Sequence, residues 1–261
     1  MKNNVIAAFF ENIVSGSEAS GISVTDAVSN LMDHGLEALY ILDDSLKCRT
    51  DEVQSVLDAT GIAVAGLHAW IDFSSDPSNQ SFRFLIDEAV RLKADNVLIV
   101  PGMGSAKNIA HGMQNAVHYV EAMNIRVCME PLDRLDSPYC TLEGLEFFLL
   151  NIPGLYCCFD TGNLVLHAED EVDAFRQLSD KVCAMHLKDR SKQSGYPDTI
   201  AKICANGDIV YPAPVGSGFI RIGEIMDMAE DMPLIVELYD YSPEHMLDGL
   251  RESLDWVSSH L

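Results

Sequence analysis

Four short apolar runs from the middle of the chain onward each end in a side chain that can hold a metal ion. Val127-Cys128-Met129 runs into Glu130, Cys157-Cys158-Phe159 into Asp160, Cys183-Ala184-Met185 into His186, and Ile235-Val236 into Glu237. A carboxylate buried at the end of an apolar strand is costly unless something neutralises it. A divalent cation would turn three carboxylates and one imidazole into ligands. The expected cofactor is therefore one divalent ion, with Mn²⁺, Mg²⁺ or Co²⁺ suiting this donor set and Zn²⁺ also possible. Singly, each residue has a blander reading: Asp160 as a helix cap, Glu130 or Glu237 as half of an ion pair, His186 as a core histidine. For the four together the alternative is an ion-pair network, which also gathers titratable groups.

Side chains from four separate runs can meet only if the runs lie side by side with their ends at one edge. Short β-branched, apolar runs recur at 5–10, 36–42, 62–71, 96–100, 126–130, 156–160, 182–187 and 234–238. They are apolar throughout rather than alternating, which suits parallel strands covered on both faces. Between most of them lies a helical pattern. Phe82, Leu85, Ile86, Ala89 and Val90 follow the i, i+3, i+4, i+7, i+8 spacing, as do Leu247, Leu250, Leu254 and Val257 near the end. Ser242-Pro243 fits an N-cap and first-turn pair for that last helix. Eight strands alternating with helices over 261 residues predict an α/β fold, a (β/α)₈ barrel forming one domain over 1–261. The four candidate ligands then end strands five to eight, neighbours around the barrel, at the edge where barrel enzymes keep their active sites. A doubly wound sheet is the rival, but no G-x-G-x-x-G or Walker pattern follows any strand.

Softer candidates surround the same edge. His68, in Gly66-Leu67-His68-Ala69-Trp70, ends the third strand, where it can bond a substrate hydroxyl or serve as a core histidine. Phe10 and Trp70 could stack on a sugar face, although aromatics at a barrel mouth are usually packing. The stretch from Arg190 to Phe219 reads as a long irregular loop on the active face, either a lid or a decorated insertion. Its Gly216-Ser217-Gly218 could contact a phosphate, but no Lys or Arg cluster accompanies it, so a neutral polyol is the expected ligand. Asp189 reads as a residue that orients its neighbours.

Composition narrows the partners. Forty acidic residues against 17 basic give a net charge of −23, which repels phosphate backbones and anionic bilayers. Nucleic acid and membrane are excluded as partners on that ground, and a homo-oligomer stays open. Apolar residues make up 48% of the chain, enough for a sizeable core. Seven cysteines with no C-x-x-C spacing make neither a disulfide framework nor a zinc ribbon. The apolar stretch Val5 to Phe10 is too short for a signal peptide or a membrane span. A cytoplasmic protein is expected.

In order and spacing, Glu130-Pro131, Phe159-Asp160-Thr161-Gly162-Asn163, His186-Leu187-Lys188-Asp189, Gly216-Ser217-Gly218-Phe219-Ile220 and Glu237-Leu238 resemble motifs of the xylose-isomerase-like barrel superfamily. They are most similar to the sugar phosphate isomerase/epimerase branch. The resemblance runs from strand one to the last helix. It implies Glu130, Asp160, His186 and Glu237 as metal ligands, and Glu130 and Glu237 as the proton-transfer pair on opposite faces of the substrate. The chemistry agrees, since a metal-polarised carbonyl acidifies the adjacent C–H and a neighbouring carboxylate can take that proton. Two positions depart from relatives: Asn163 stands where many have a second histidine, and Lys192 where ketose 3-epimerases carry a substrate-binding arginine. Arg190 is the candidate substitute, and His68, Asn163 and Arg190 are the candidate substrate-binding residues. The implied activity is a metal-dependent sugar isomerase or epimerase. The alternatives are a lyase dehydrating an inosose or related keto-polyol, an endonuclease IV-like repair enzyme, which the charge and Asn163 oppose, and a non-catalytic binding barrel.

Overall fold

The computed structural model describes residues 3–73 and 79–261. Its strands are β1 (Val5–Phe9), β2 (Ala38–Leu42), β3 (Ala63–Trp70), β4 (Asn96–Val100), β5 (Arg126–Met129), β6 (Tyr156–Asp160), β7 (Val182–Leu187), β8 (Asp189–Ser191), β9 (Lys202–Ile203), β10 (Ile209–Ala213) and β11 (Pro233–Val236). Its helices are α1 (Phe10–Ser20), α2 (Val24–Asp33), α3 (Asp43–Cys48), α4 (Thr50–Thr60), α5 (Gln80–Leu92), α6 (Ala106–Val120), α7 (Leu142–Asn151), α8 (Glu171–Leu178), α9 (Ile222–Met228) and α10 (Met246–Ser258). Pairing runs β1-β11-β7-β6-β5-β4-β3-β2 and closes on β1, with every pair parallel. This is the (β/α)₈ barrel that the alternation of apolar runs and amphipathic helices predicts. β8, β10 and β9 form a small antiparallel sheet between β7 and α9.

Strand alternation divides the core in two. On β1, Ile6 and Ala8 face outward into the layer shared with Leu250, Leu254 and Val257 of α10. Ala7 and Phe9 face inward, joining Ala38, Tyr40, Leu98, Cys128, Cys158, Ala184 and Ile235 inside the barrel. The interior is narrow, so small side chains alternate with large ones. Cys128, Cys158 and Cys183 act there as small apolar groups, and all seven cysteines are free. Gly66 belongs to the same fit: a Cβ at that position would stand 2.3 Å from both Tyr40 and the Asn96 side chain.

Several local expectations need correction. Phe10 is the first residue of α1 and lies wholly buried in the strand–helix layer. Alternation points Phe9, not Phe10, into the barrel, so Phe10 cannot stack on a ligand. Val90, placed by periodicity on the buried face of α5, is 59% exposed. Ser242-Pro243 opens a short 3-10 turn, Pro243–His245, ahead of α10; the Ser242 hydroxyl donates to Asp198 Oδ2 (2.9 Å) instead of capping. The stretch after Arg190 is not irregular but holds β9 and β10, two and five residues long, too short to show periodicity in sequence. Glu130 and Glu237 each stand one residue beyond their strands. No helix among the described residues is long and apolar enough to cross a membrane.

Candidate metal centre

Glu130, Asp160, His186 and Glu237 are buried together at the C-terminal ends of β5, β6, β7 and β11, with one ligand atom from each within 4.8 Å of the others. Backbone register puts them there. A shift between Cys157 and Cys158 brings Asp160 opposite His186, and His186 pairs with Ile235 on its other side. The Glu237 N–H donates to the Leu187 carbonyl (3.1 Å), carrying the ladder one residue past β11. Asp160 fulfils both of its sequence readings. Its Oδ1 accepts from the N–H groups of Gly162 (2.8 Å) and Asn163 (2.9 Å), as a cap does, while Oδ2 faces the cluster.

The donor set fits a divalent ion. Ligand atoms about 2.0–2.2 Å from one ion lie within about 4.4 Å of each other, so only a small contraction is needed. Glu130 Oε2, Asp160 Oδ2 and both His186 ring nitrogens are buried and make no contact except the charged ones within the cluster. His186 Nδ1 does stand 3.0 Å from Glu130 Oε2 and 2.8 Å from Glu237 Oε2. Burial disfavours a proton on His186, yet these two carboxylates outweigh it and raise the imidazole to about 10. A metal ligand must be unprotonated, so an ion would take that proton's place.

Lys188, two residues beyond His186, completes the cluster. Its Nζ lies 2.8 Å from Asp160 Oδ2, 2.5 Å from Glu237 Oε1 and 3.1 Å from Asn163 Oδ1. Thr161 fixes its backbone, the hydroxyl accepting from Lys188 N and donating to Lys188 O, both at 2.9 Å. The cation splits the carboxylates. Burial raises Glu130 and Asp160, with His186 and Lys188 respectively opposing it in part. On Glu237 burial is overcome by Lys188 and His186, which hold the carboxyl well below its usual range. Lys188 was legible in principle: His186, Lys188 and Arg190 recur with period two, which sends them to one side of a strand.

Glu130 and Glu237 of the cluster, with Lys188, form one wall of a cavity of about 240 Å³. Three sequence candidates, His68, Asn163 and Arg190, line it together with Glu130, Glu237, Lys188, Trp70 and Tyr239. His68 is buried with both ring nitrogens unpartnered, and burial lowers its pKa to about 3, so it is neutral. Asn163 has its amide engaged, donating to Pro131 O (2.9 Å) and accepting from Lys188. Trp70, half exposed, and Tyr239 supply the aromatic side of the cavity, and Phe9 packs inside the barrel, 5.0 Å from His186 and from Tyr239 between ring centroids. Lys202 of β9 bridges Asp133 (2.8 Å) and Asp240 (3.1 Å), joining the small sheet to the loops after β5 and β11. Sequence offers no sign of that bridge, because it depends on the path of the insertion. A larger depression, about 540 Å³, lies beside Arg126 and Pro153 at the opposite end of the barrel and includes none of these residues.

Gly216-Ser217-Gly218 does not face a ligand. Its backbone wraps the Asp189 carboxylate: Gly216 N and Gly218 N donate to Oδ2 (both 2.9 Å), Ile220 N (3.2 Å) and Arg190 N (2.8 Å) to Oδ1. A Cβ at Gly218 would stand 2.1 Å from Asp189 Oδ1. The anion held by this glycine loop is the protein's own, as the orienting role read for Asp189 requires.

Comparison with known proteins agrees with this architecture. The family model described as xylose isomerase-like TIM barrel matches residues 27–260. Solved structures with the same fold include the D-allulose 3-epimerase of Methylomonas sp. at 13% identity and TM-score 0.71, covering 100% of this chain and 99% of that one. The probable 3-DHS dehydratase AsbF of Bacillus anthracis is similar at 16% identity and TM-score 0.72, covering 97% and 98%. IOLI, a protein solved with a bound zinc atom, is similar at 14% identity and TM-score 0.72, covering 100% and 99%. None of the curated proteins compared with the chain matches it.

Proposed function

The chain belongs to the xylose isomerase-like TIM barrel family, and on that premise we propose that it is a divalent-metal-dependent isomerase or epimerase of a sugar or related hydroxy-ketone. The observation that carries this reading is the convergence of three carboxylates and a histidine, buried with one ligand atom of each turned toward the others, with Glu130 and Glu237 on the wall of a substrate-sized cavity. Glu130, Asp160, His186 and Glu237 would hold the ion. When bound, a divalent ion supplies Lewis-acid polarisation of a carbonyl or hydroxyl oxygen and so acidifies the neighbouring C–H. Glu130 and Glu237 then move the proton. They enter from β5 and β11, with β6 and β7 between them in the barrel, so they flank the ligand from two sides. Two flanking carboxylates are what an epimerisation needs: one removes the proton, the other delivers it to the opposite face. Asp160 carries no proton in this scheme, because its Oδ1 is held by two backbone N–H groups. Lys188 holds Glu237 ionised as a base. His68, Asn163 and Arg190 contact the substrate from the remaining walls, and residues 1–261 act as one catalytic unit.

Metal analysis of the purified chain tests the reading, followed by a panel of ketoses, aldoses and keto-polyols read by mass. About one divalent ion per chain is expected, lost in Asp160→Ala with the barrel still folded. A product isomeric with its substrate supports the proposal. A product lighter by water would assign lyase chemistry instead, and an unchanged metal content in Asp160→Ala would remove that residue from the site.

A further inference from the structure

Arg190 heads the large side chains wholly withdrawn from solvent, at 1% exposure. Its Nε and Nη1 are buried without a hydrogen-bond partner, and it makes no ion pair with any described residue. The neighbouring cations differ. Lys188 is paired with Asp160 and Glu237, and Lys202 with Asp133 and Asp240. A buried guanidinium without a counter-charge is unfavourable, and proteins that keep one normally pair it. Arg190 instead lines the same cavity as the metal cluster.

Two other unpartnered groups share that cavity. His68 comes from β3, diametrically across the barrel from β7, and has both ring nitrogens unpartnered; the Tyr239 hydroxyl is likewise buried and unpartnered. Both are neutral hydrogen-bonding groups suited to hydroxyls. The fixed positive charge that lacks an anion sits at Arg190.

We propose that the substrate is a polyhydroxylated keto acid whose carboxylate docks on the Arg190 guanidinium while its keto and hydroxyl oxygens face the metal cluster and His68. This rests on the metal-centred reading above and narrows its substrate class from neutral sugars to acids. A carboxylate suits one planar guanidinium, which can grip both oxygens at once. A phosphate dianion would call for a second cation, and both lysines that line the cavity are already paired. Arg190 is thus the specificity-determining residue.

Binding to the metal-loaded full chain by titration calorimetry tests this with three probes sharing one carbon skeleton: gluconate, sorbitol and sorbitol 6-phosphate. Gluconate is expected to bind about 10²-fold tighter than sorbitol or more, and Arg190→Gln to erase the difference. Arg190→Lys, which keeps the charge but loses the fork, should recover only part of it. Without ligand, Arg190→Met is expected to raise Tm by about 2–4 °C, because it removes an unpaired buried charge. Equal affinity for gluconate in the native and Arg190→Gln proteins, a preference for the phosphate, or a lower Tm in Arg190→Met would each overturn the inference. Metal content is read on the same samples. A fully loaded protein that prefers sorbitol overturns the carboxylate alone, whereas a chain that takes no divalent ion overturns the reading beneath it.

Discussion

Replacing Asp189 by Asn changes one atom type and should loosen the insertion without touching the candidate metal ligands. In the native chain the buried carboxylate accepts four N–H bonds, two at each oxygen, from Arg190, Gly216, Gly218 and Ile220. An amide offers one acceptor oxygen and turns an NH₂ toward the other two donors, whichever way it flips. Two charge-assisted bonds are lost, at about 1.5–3 kcal/mol each, or about 3–6 kcal/mol together. For a chain of this size each kcal/mol moves Tm by about 2–4 °C, so a fall of about 6–24 °C is expected in calorimetry. Hydrogen exchange localises the effect. The amides of Gly216, Gly218 and Ile220 should exchange about 10²–10⁴-fold faster, while those of β3 and β4, on the far side of the barrel, stay protected. Arg190 follows Asp189 directly, so substrate affinity should fall as well. A variant with native Tm and native exchange at these three amides would refute the role given to the glycine loop.

Other outcomes follow from the charges around the site. Lys188→Met leaves Asp160 and Glu237 without their cation; after metal removal by a chelator the variant should melt about 6–20 °C below the native chain, since breaking a buried pair costs about 3–5 kcal/mol. Adding Mn²⁺ back should restore more stability to the variant than to the native protein, and equal gains would remove Lys188 from the charge balance. Glu11 is pushed up to about 7 from the ordinary 4.5 by burial; its Oε1 accepts from Leu42 N (3.1 Å) and its Oε2 has no partner. A raised carboxyl stabilises fully below pH 4.5, and that contribution is lost as pH rises to about 7. Glu11→Gln should therefore match the native chain near pH 4 and exceed it at pH 8 by roughly 3 kcal/mol, and a pH-independent difference in denaturant titrations would contradict the assignment.

The barrel and the meeting of the four candidate ligands were legible because both rest on local signals. Apolar runs bounded by helical periodicity mark the strands, and the C-terminal edge of a parallel barrel is where their last polar residues meet. Lys188 is harder to read, because the period two that begins at His186 continues past the end of β7 at Leu187. Phe10 was misplaced for a related reason: a run of consecutive apolar residues does not say which of two neighbours faces inward. The Gly216-Ser217-Gly218 loop has the composition of an anion site, and it does hold an anion. Sequence could not show that the anion was Asp189, 27 residues before Gly216. Lys202, Asp133 and Asp240 meet through the path of β9, which no local pattern encodes.

Solvent deuterium decides the central claim, that Glu130 and Glu237 move the substrate proton. With the substrate identified by the panel, turnover in D₂O should place deuterium at the carbon beside the carbonyl. Glu130→Gln and Glu237→Gln should keep their metal and lose both exchange and turnover by about 10²–10⁴-fold. Product formed at full rate without deuterium, or native exchange in both variants, would contradict the account.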